Sequence, residues 1–169
     1  MNPVVLLRKY ASDEDSFKIV LAHSKKVTEI ALRLAGKINK PVDTEFIKQA
    51  AMLHDIGRFR FPPGHKSAHH GVAGAEIMRA EGFPKIARVC ERHLGAGISK
   101  AVAEKLGLPA KDYFPETVEE KLICYADRLT GNDKEIPFEE EKTRFEREYG
   151  EEAVRLLEHL RAEILDWMK

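Results

Sequence analysis

The sequence predicts an all-α protein, and three observations lead to this fold class. Apolar residues recur at the three- and four-residue spacing of amphipathic helices along most of the chain. Glycines and prolines divide these stretches into segments of ordinary helical length. No segment shows the alternation of a strand or a clear hairpin turn. The 169 residues are enough for a single domain with its own core.

The first two predicted helices are amphipathic, and each carries a histidine on its apolar side. Ser12 and Asp15 are capping candidates for the first helix. Its apolar stripe follows helical spacing and consists of Val20, His23, Val27, Ile30 and Leu34. Asp43 is the N-cap candidate of the second helix, which carries His54 and which Gly57 ends.

Two further predicted helices repeat this pattern. One starts near Ser67 and carries His70, and the next opens at Pro84 and carries His93. Residues 58–67 contain two prolines and a glycine and lack helical spacing, which predicts a loop between the second and third helices.

The rest of the chain is also predicted to be helical. Ser99 caps a short helix, and Thr117 with Glu120 forms a capping-box pattern at the start of the helix that contains Asp127. Residues 139–150 are charged nearly all round, which predicts a solvated helix or an ordered lid. A last helix covers residues 151–168.

The charge balance and the hydropathy pattern exclude several classes of protein. Lys and Arg total 28, as do Asp and Glu, so no bulk basic field is available to hold nucleic acid or acidic lipid. No apolar run approaches the roughly 18 residues of a membrane span. The start of the chain lacks a secretory signal, so we expect a cytoplasmic protein. Few amides among many Lys and Glu residues are a weak thermophile signature.

Six chemically reactive side chains are predicted on inward-facing positions. They are His23, His54, Asp55, His70, His93 and Asp127. Burial of each unpaired charge would cost several kcal/mol, whereas a bound cation would neutralise the carboxylates and take the imidazole lone pairs. The pattern therefore predicts a metal site. Donors without thiolate suit Mn, Fe, Co, Ni or Zn, and one or two ions, with Asp55 bridging in the second case, would use this set.

These residues also resemble a known family. His23, the HDIG stretch at 54–57 and Asp127 within YADRLTG resemble the HD-domain superfamily of metal-dependent phosphohydrolases, in its HDIG branch. The resemblance implies an HD-domain-like helical bundle in which His23, His54, Asp55 and Asp127 ligate metal. It also matches His70 and His93 to the histidines of members that hold two ions, often iron or manganese.

The resemblance implies a division of the chain and leaves the subfamily open. It implies an N-terminal segment at 1–15, an HD metal-binding domain at 16–132 and a C-terminal helical extension at 133–169 packed on the same domain. Arg58 stands where single-metal HD deoxynucleotidases carry a glutamate, so that mechanism is not expected. The GYP element of cyclic-di-GMP enzymes is absent.

The leading functional hypothesis is a phosphohydrolase that cleaves a phosphoester or phosphoanhydride bond. Its substrate would be a phosphorylated small molecule, and the family resemblance implies a nucleotide. The sequence provides no evidence for nucleic acid or a membrane as a partner. A homodimer is left open. Asp55 and Arg58 are the catalytic candidates. Arg58, Lys66 and Arg128 are substrate-binding candidates. The alternative is surface charge for Arg58 and Lys66 and a pair with an acid for Arg128.

Other interpretations of the same residues remain open. A di-iron oxygenase of the HD fold would use the same ligands, and a non-catalytic, metal-stabilised module that binds a nucleotide would keep them without turnover. Candidates for the wall against a nucleobase are Phe59, Phe61 and Tyr125.

Overall fold

The computed structural model describes residues 1–62 and 68–169. Within these residues it contains nine α-helices, one 3₁₀ turn and a two-stranded hairpin. In chain order they are α1 (Pro3–Tyr10), α2 (Glu14–Ala35), α3 (Thr44–Leu53), the 3₁₀ turn (Ile56–Phe59), α4 (His69–Ala80), α5 (Pro84–Arg92), α6 (Lys100–Lys105), α7 (Val118–Arg128), β1 (Thr130–Gly131), β2 (Lys134–Glu135), α8 (Phe138–Tyr149) and α9 (Glu151–Asp166). The all-α prediction is confirmed.

Capping residues explain where several helices begin. Asp43 accepts a hydrogen bond from the Phe46 amide at 2.9 Å and caps α3, as predicted. The capping box of Thr117 and Glu120 at the start of α7 is also present. The cap of α2 is Asp13 rather than Ser12, and hydrogen bonds from the hydroxyl and amide of Ser16 lower the pKa of Asp13 to about 2.

The main core lies between α2, α3, α5 and α7. Its fully buried side chains include Val27, Ile30, Ile47, Leu53, Leu122 and Ile123. Each of these side chains stabilises the fold by roughly 1.5–3 kcal/mol when it leaves water. Packing on this shared core brings the C-terminal ends of α3, α5 and α7 next to the middle of α2. This meeting point is where the reactive side chains lie.

The hairpin of β1 and β2 corrects the expectation that the chain contains no strand. Thr130 pairs with Glu135 and Gly131 with Lys134 in antiparallel register. Each strand has only two residues, which is too short for an alternating pattern to be visible in the sequence. The turn passes through Asn132 at a φ of 52°, a conformation that asparagine tolerates better than most residues.

The C-terminal helices pack against the rest of the chain. The charged segment forms a helix, α8, but it is not solvated all round, because Glu141 and Phe145 are buried. Helix α9 is joined to α7 by an ion pair of 2.6 Å between Lys121 and Glu163. The division at 16–132 and 133–169 stays a prediction. No helix among the described residues combines the length and apolar character needed to cross a membrane.

Gly57 lies where the 3₁₀ turn meets the backbone of α4. A Cβ atom on Gly57 would lie 1.9 Å from the carbonyl oxygen of His70 and 2.6 Å from the amide nitrogen of Gly74. Both are backbone atoms of a helix, so neither can rotate away. The two chain segments therefore touch with no side chain between them.

We expect Gly57→Ala to lower the free energy of unfolding by at least about 3 kcal/mol, because the new methyl group must push α4 away from the turn. Gly36→Ala is the matched control: its Cβ would meet its nearest atoms at 3.7 Å, and a change within about 1 kcal/mol is expected. Denaturant unfolding of both variants measures the difference. Equal midpoints would contradict the close contact.

Candidate metal centre

The six predicted ligand side chains lie together at this meeting point. His23 is on α2, His70 is in the first turn of α4, and Asp127 is next to the last residue of α7. His54 and His93 are the residues that directly follow α3 and α5, which corrects the expectation that each lies inside its helix. Five of the six are buried, and His23 is partly buried.

The two carboxylate oxygens of Asp55 face two different pairs of imidazoles. Oδ2 lies 3.7 Å from Nε2 of His23 and 3.9 Å from Nε2 of His54. Oδ1 lies 3.2 Å from Nε2 of His70 and 3.3 Å from Nε2 of His93. One carboxylate thus stands between two sets of nitrogen donors, as a ligand shared by two ions would.

Asp127 completes the first of these sets. Its Oδ1 lies 2.9 Å from Nε2 of His23 and 3.6 Å from Nε2 of His54. We call His23, His54, Asp127 and Oδ2 of Asp55 the first ligand group. The second ligand group is His70, His93 and Oδ1 of Asp55. Each group holds at least three donors, which is the number that a catalytic metal site takes from the protein.

Backbone carbonyls orient three of the imidazole rings. Nδ1 of His23 lies 2.7 Å from the carbonyl oxygen of Asn132. Nδ1 of His54 lies 2.6 Å from the carbonyl oxygen of Ala51, and Nδ1 of His93 lies 3.3 Å from that of Val89. A carbonyl only accepts hydrogen bonds, so each Nδ1 carries the proton and donates it. The Nε2 atoms are thereby directed at the cluster, as in metal-binding histidines.

Two buried polar atoms of the cluster lack hydrogen-bond partners. They are Nε2 of His54 and Oδ1 of Asp55. In addition, the Nε2 atoms of His70 and His93 face each other at 2.9 Å. Leaving a buried donor or acceptor unsatisfied costs about 1–3 kcal/mol, and a cation would satisfy Nε2 of His54 and Oδ1 of Asp55 together. The residues therefore fit a divalent metal site.

The charge state of the cluster favours cation binding. Burial alone would raise the pKa of Asp55 and of Asp127. The electrostatic effect of His54 and the nearby imidazoles of His70 and His93 outweighs burial at Asp55, and the charge of Arg128 does so at Asp127, so both pKa values lie well below the usual range. Both carboxyl groups are thus ionised at neutral pH.

The histidines differ in how their surroundings act on protonation. At His23 burial opposes the charged form, but the hydrogen bond to Asp127 and the charges of Asp127 and Asp55 raise its pKa to about 9. At His93 burial lowers the pKa to about 4. A proton and a cation compete for Nε2 of His23, so binding of a metal there would release a proton.

Of the predicted substrate-binding residues, two lie at the cluster. Nε of Arg58 is 3.4 Å from Oδ1 of Asp55, and its side chain is 23% exposed. Arg128 donates to Oδ2 of Asp127, and its Nη1 lies 3.7 Å from Glu141. Lys66 lies outside the described residues.

A cavity of about 730 Å³ opens beside the cluster. His23, Asp55, Arg58, Asp127 and Arg128 line it together with residues that the sequence interpretation missed: Lys18, Arg144, Tyr149, Asn132 and Asp133. A signal that could have indicated the position of α8 is Phe145, which like Phe138 is an apolar residue in a highly charged helix. Its buried position turns one side of α8 toward the rest of the chain.

The aromatic candidates for a nucleobase wall lie elsewhere. Tyr125 is buried with its ring centroid 6.3 Å from that of Phe138. Phe59 packs against the main core, and Phe61 lies against His69. Tyr149 is the aromatic residue that lines the cavity instead.

Comparison with known proteins places the chain among relatives of different lengths. A tRNA (cytidine(56)-2'-O)-methyltransferase of Picrophilus torridus is 36% identical over 94% of this chain and 48% of its own length. A protein of the same name from Thermoplasma volcanium is 38% identical over 80% of this chain and 37% of its own length. An uncharacterized protein of Methanocaldococcus jannaschii is 43% identical over 78% of each chain. The chain thus spans about half the length of the Picrophilus relative and a smaller share of the Thermoplasma relative.

No solved structure matches the chain. The model of the HD domain family matches residues 20–132, a range that begins within α2 and ends in the hairpin. This range contains all six residues of the two ligand groups. The chain belongs to the HD domain family.

Proposed function

We propose that the chain is a metal-dependent phosphohydrolase that cleaves a phosphoester or phosphoanhydride bond of a nucleotide. The observation that carries this proposal is the position of Asp55, whose two oxygens face separate imidazole pairs. Divalent ions held there, of Mn, Fe, Co, Ni or Zn, would supply the Lewis acidity that activates water and neutralises phosphate charge.

The protein's own residues would divide the work between them. The first and second ligand groups would hold the cations, and Asp55 would contribute one oxygen to each group. Arg58 places a guanidinium at the edge of the cavity, where its planar fork of donors matches phosphate oxygens. Arg128 lines the cavity too, but it already forms ion pairs with Asp127 and Glu141. Arg58 is therefore the better candidate to bind a substrate phosphate.

RNA is the second candidate substrate, since two relatives are named for an activity on tRNA. The chain covers 48% and 37% of those relatives, so methyl transfer is not carried over to it. A formal net charge of zero leaves the cations around the cavity as the local means of holding an RNA phosphate.

A substrate screen tests the proposal. The panel holds mononucleotides, dinucleoside polyphosphates, cyclic nucleotides and short oligoribonucleotides, with Mn²⁺, Co²⁺, Ni²⁺ and Fe²⁺ each supplied. We expect metal-dependent hydrolysis of at least one compound. Bound metal with no turnover across the panel would favour the non-catalytic module. Oxygen consumption with the absorbance of oxo-bridged iron would favour the oxygenase.

His70→Ala should leave one tightly bound ion per chain and lower the rate of hydrolysis, because it removes a donor from the second ligand group alone. His69→Ala is the matched control, since the His69 ring lies 3.2 Å from the carbonyl oxygen of Leu106, away from the cluster. Metal analysis of both variants measures the number of ions. One ion per chain in both variants would reduce the centre to the first ligand group, and two ions in both would exclude His70 as a ligand.

A further inference from the structure

We infer that helix α8 supplies the wall that holds the nucleoside part of the substrate, with Tyr149 stacking on the base and Arg144 binding a second phosphate. Both residues lie beyond the range that matches the HD domain family. The inference rests on the proposed function, because it names the part of the substrate that lies away from the His/Asp cluster.

The cavity is larger than one phosphate group requires. Its volume of about 730 Å³ falls within the roughly 300–1,000 Å³ of small-molecule sites. Its lining joins the cluster to Tyr149 and Arg144 of α8 and to Lys18 of α2. An anion at the cluster therefore leaves room in the same cavity for a base, a sugar and further charge.

A line of ion pairs holds α8 at this cavity. Arg128 donates to Asp127 and lies 3.7 Å from Glu141, and the other oxygen of Glu141 lies 2.7 Å from Nη2 of Arg144. Glu141 is fully buried, and the two arginines together place more positive charge beside it than its single carboxylate neutralises. This line runs without a break from a residue of the first ligand group to Arg144.

Apolar contacts fix the same helix from its other positions. Phe145 is buried in the main core, and the guanidinium of Arg161 lies 3.9 Å from the ring centroid of Phe138. Because α8 is held at its first turn and again at Phe145, its cavity-facing side chains have a defined position before any ligand arrives. A wall that is already in place costs little ordering entropy on binding.

Tyr149 has the exposure that a stacking residue needs. It is 60% exposed, although it is a large aromatic residue, and its ring packs edge-on to Phe145 at a centroid distance of 4.9 Å. The contact with Phe145 orients the ring and leaves aromatic surface open. Every nucleobase offers a flat π-face to such a ring, and stacking of this kind tolerates any base.

Arg144 and its neighbours give the cavity its preference for charge. Nε of Arg144 is buried without a hydrogen-bond partner, and its guanidinium pairs with Glu141 alone among the acids of the described residues. The cavity lining also contains Lys18 and Arg58, against Asp133 as the one acid outside the ligand groups. Together these cations favour a substrate with more than one phosphate.

Equilibrium binding in the presence of Mn²⁺ tests the wall separately from catalysis. The probes are adenosine diphosphate, ribose 5-phosphate and a 5′-phosphorylated RNA trinucleotide. Tyr149→Ala should weaken binding of adenosine diphosphate about 10- to 100-fold and leave ribose 5-phosphate within about twofold. Tyr149→Phe should bind as the wild-type chain does. Arg144→Gln should weaken binding of adenosine diphosphate more than binding of ribose 5-phosphate, which has a single phosphate.

The two nucleoside-containing probes distinguish a free nucleotide from an RNA end as the source of the ligand, and the wall is supported by whichever of them depends on Tyr149. Unchanged binding of both by Tyr149→Ala, or no binding of either by the wild-type chain, would overturn the wall. Tyr149-dependent binding without hydrolysis of any compound would overturn the phosphohydrolase and leave the wall standing. Hydrolysis that Tyr149→Ala leaves unaltered would support the phosphohydrolase and overturn the wall.

Discussion

Asp55→Ala should abolish hydrolysis and remove most of the bound metal. The substitution takes one oxygen from each ligand group, and it leaves the buried His54, His70 and His93 without the carboxylate that faces them. Metal per chain and turnover are measured on the same preparation. Asp55→Asn keeps the shape of the side chain and removes its charge. It should therefore lose hydrolysis and bound metal as Asp55→Ala does, without leaving a void in the packing.

A surface carboxylate provides the control for this experiment. Asp15→Ala removes an exposed aspartate in the first turn of α2 and should leave metal content and rate unchanged. Circular dichroism of each variant shows whether the helices are retained. A folded Asp55→Ala chain with wild-type metal and wild-type rate would refute the metal centre.

Arg58→Ala should keep the full metal content and the fold but lower kcat/KM by roughly 10- to 1,000-fold. This is the scale of losing one charged contact to the transition state. The guanidinium lies at the edge of the cavity and beside Asp55, where it can donate to phosphate oxygens. Arg58→Lys should recover part of the loss, because a point charge replaces the planar fork. Arg58→Glu should not create a deoxynucleotidase.

Arg60 offers a matched control two residues further along the chain. Its side chain is exposed and pairs with Glu76 at 3.1 Å, away from the cavity lining. Arg60→Ala should therefore retain wild-type kcat/KM. If Arg58→Ala and Arg60→Ala behave alike, Arg58 is a surface charge, and Lys66 or Arg128 becomes the better candidate for phosphate binding.

Local patterns made the helices and the ligand cluster predictable. The cap at Asp43 and the capping box at Thr117 depend on residues within one turn, so the sequence alone contains the whole signal. The cluster was predictable for a different reason. Burial of an isolated charge is costly. Charged side chains at inward positions of separate helices are therefore expected to lie next to one another, where they can compensate each other.

Contacts between distant parts of the chain were not predictable in this way. The pairing of Arg128 with Glu141 brings α8 to the cavity, and apart from the apolar Phe145 nothing within residues 139–150 indicates which part of the chain this charged helix packs against. The same holds for the Asn132 carbonyl, which orients His23 across 109 positions of sequence. Such features depend on the completed bundle. The cytoplasmic location, the homodimer and the thermophilic origin stay predictions.

The bare backbone contact at Gly57 bears on which ions the centre can accept. Asp55 precedes Gly57 by two residues, and Gly57 touches the carbonyl oxygen of His70 itself. The packing of the turn on α4 therefore fixes the backbone spacing between Asp55 and His70, and the gap between the carboxylate and the imidazole can change only within the rotamers of these two side chains. Ions that ligate at about 2.0–2.2 Å fit a narrow gap better than ions that ligate at about 2.3–2.6 Å. The second ligand group should thus select ions by radius and prefer the smaller ones.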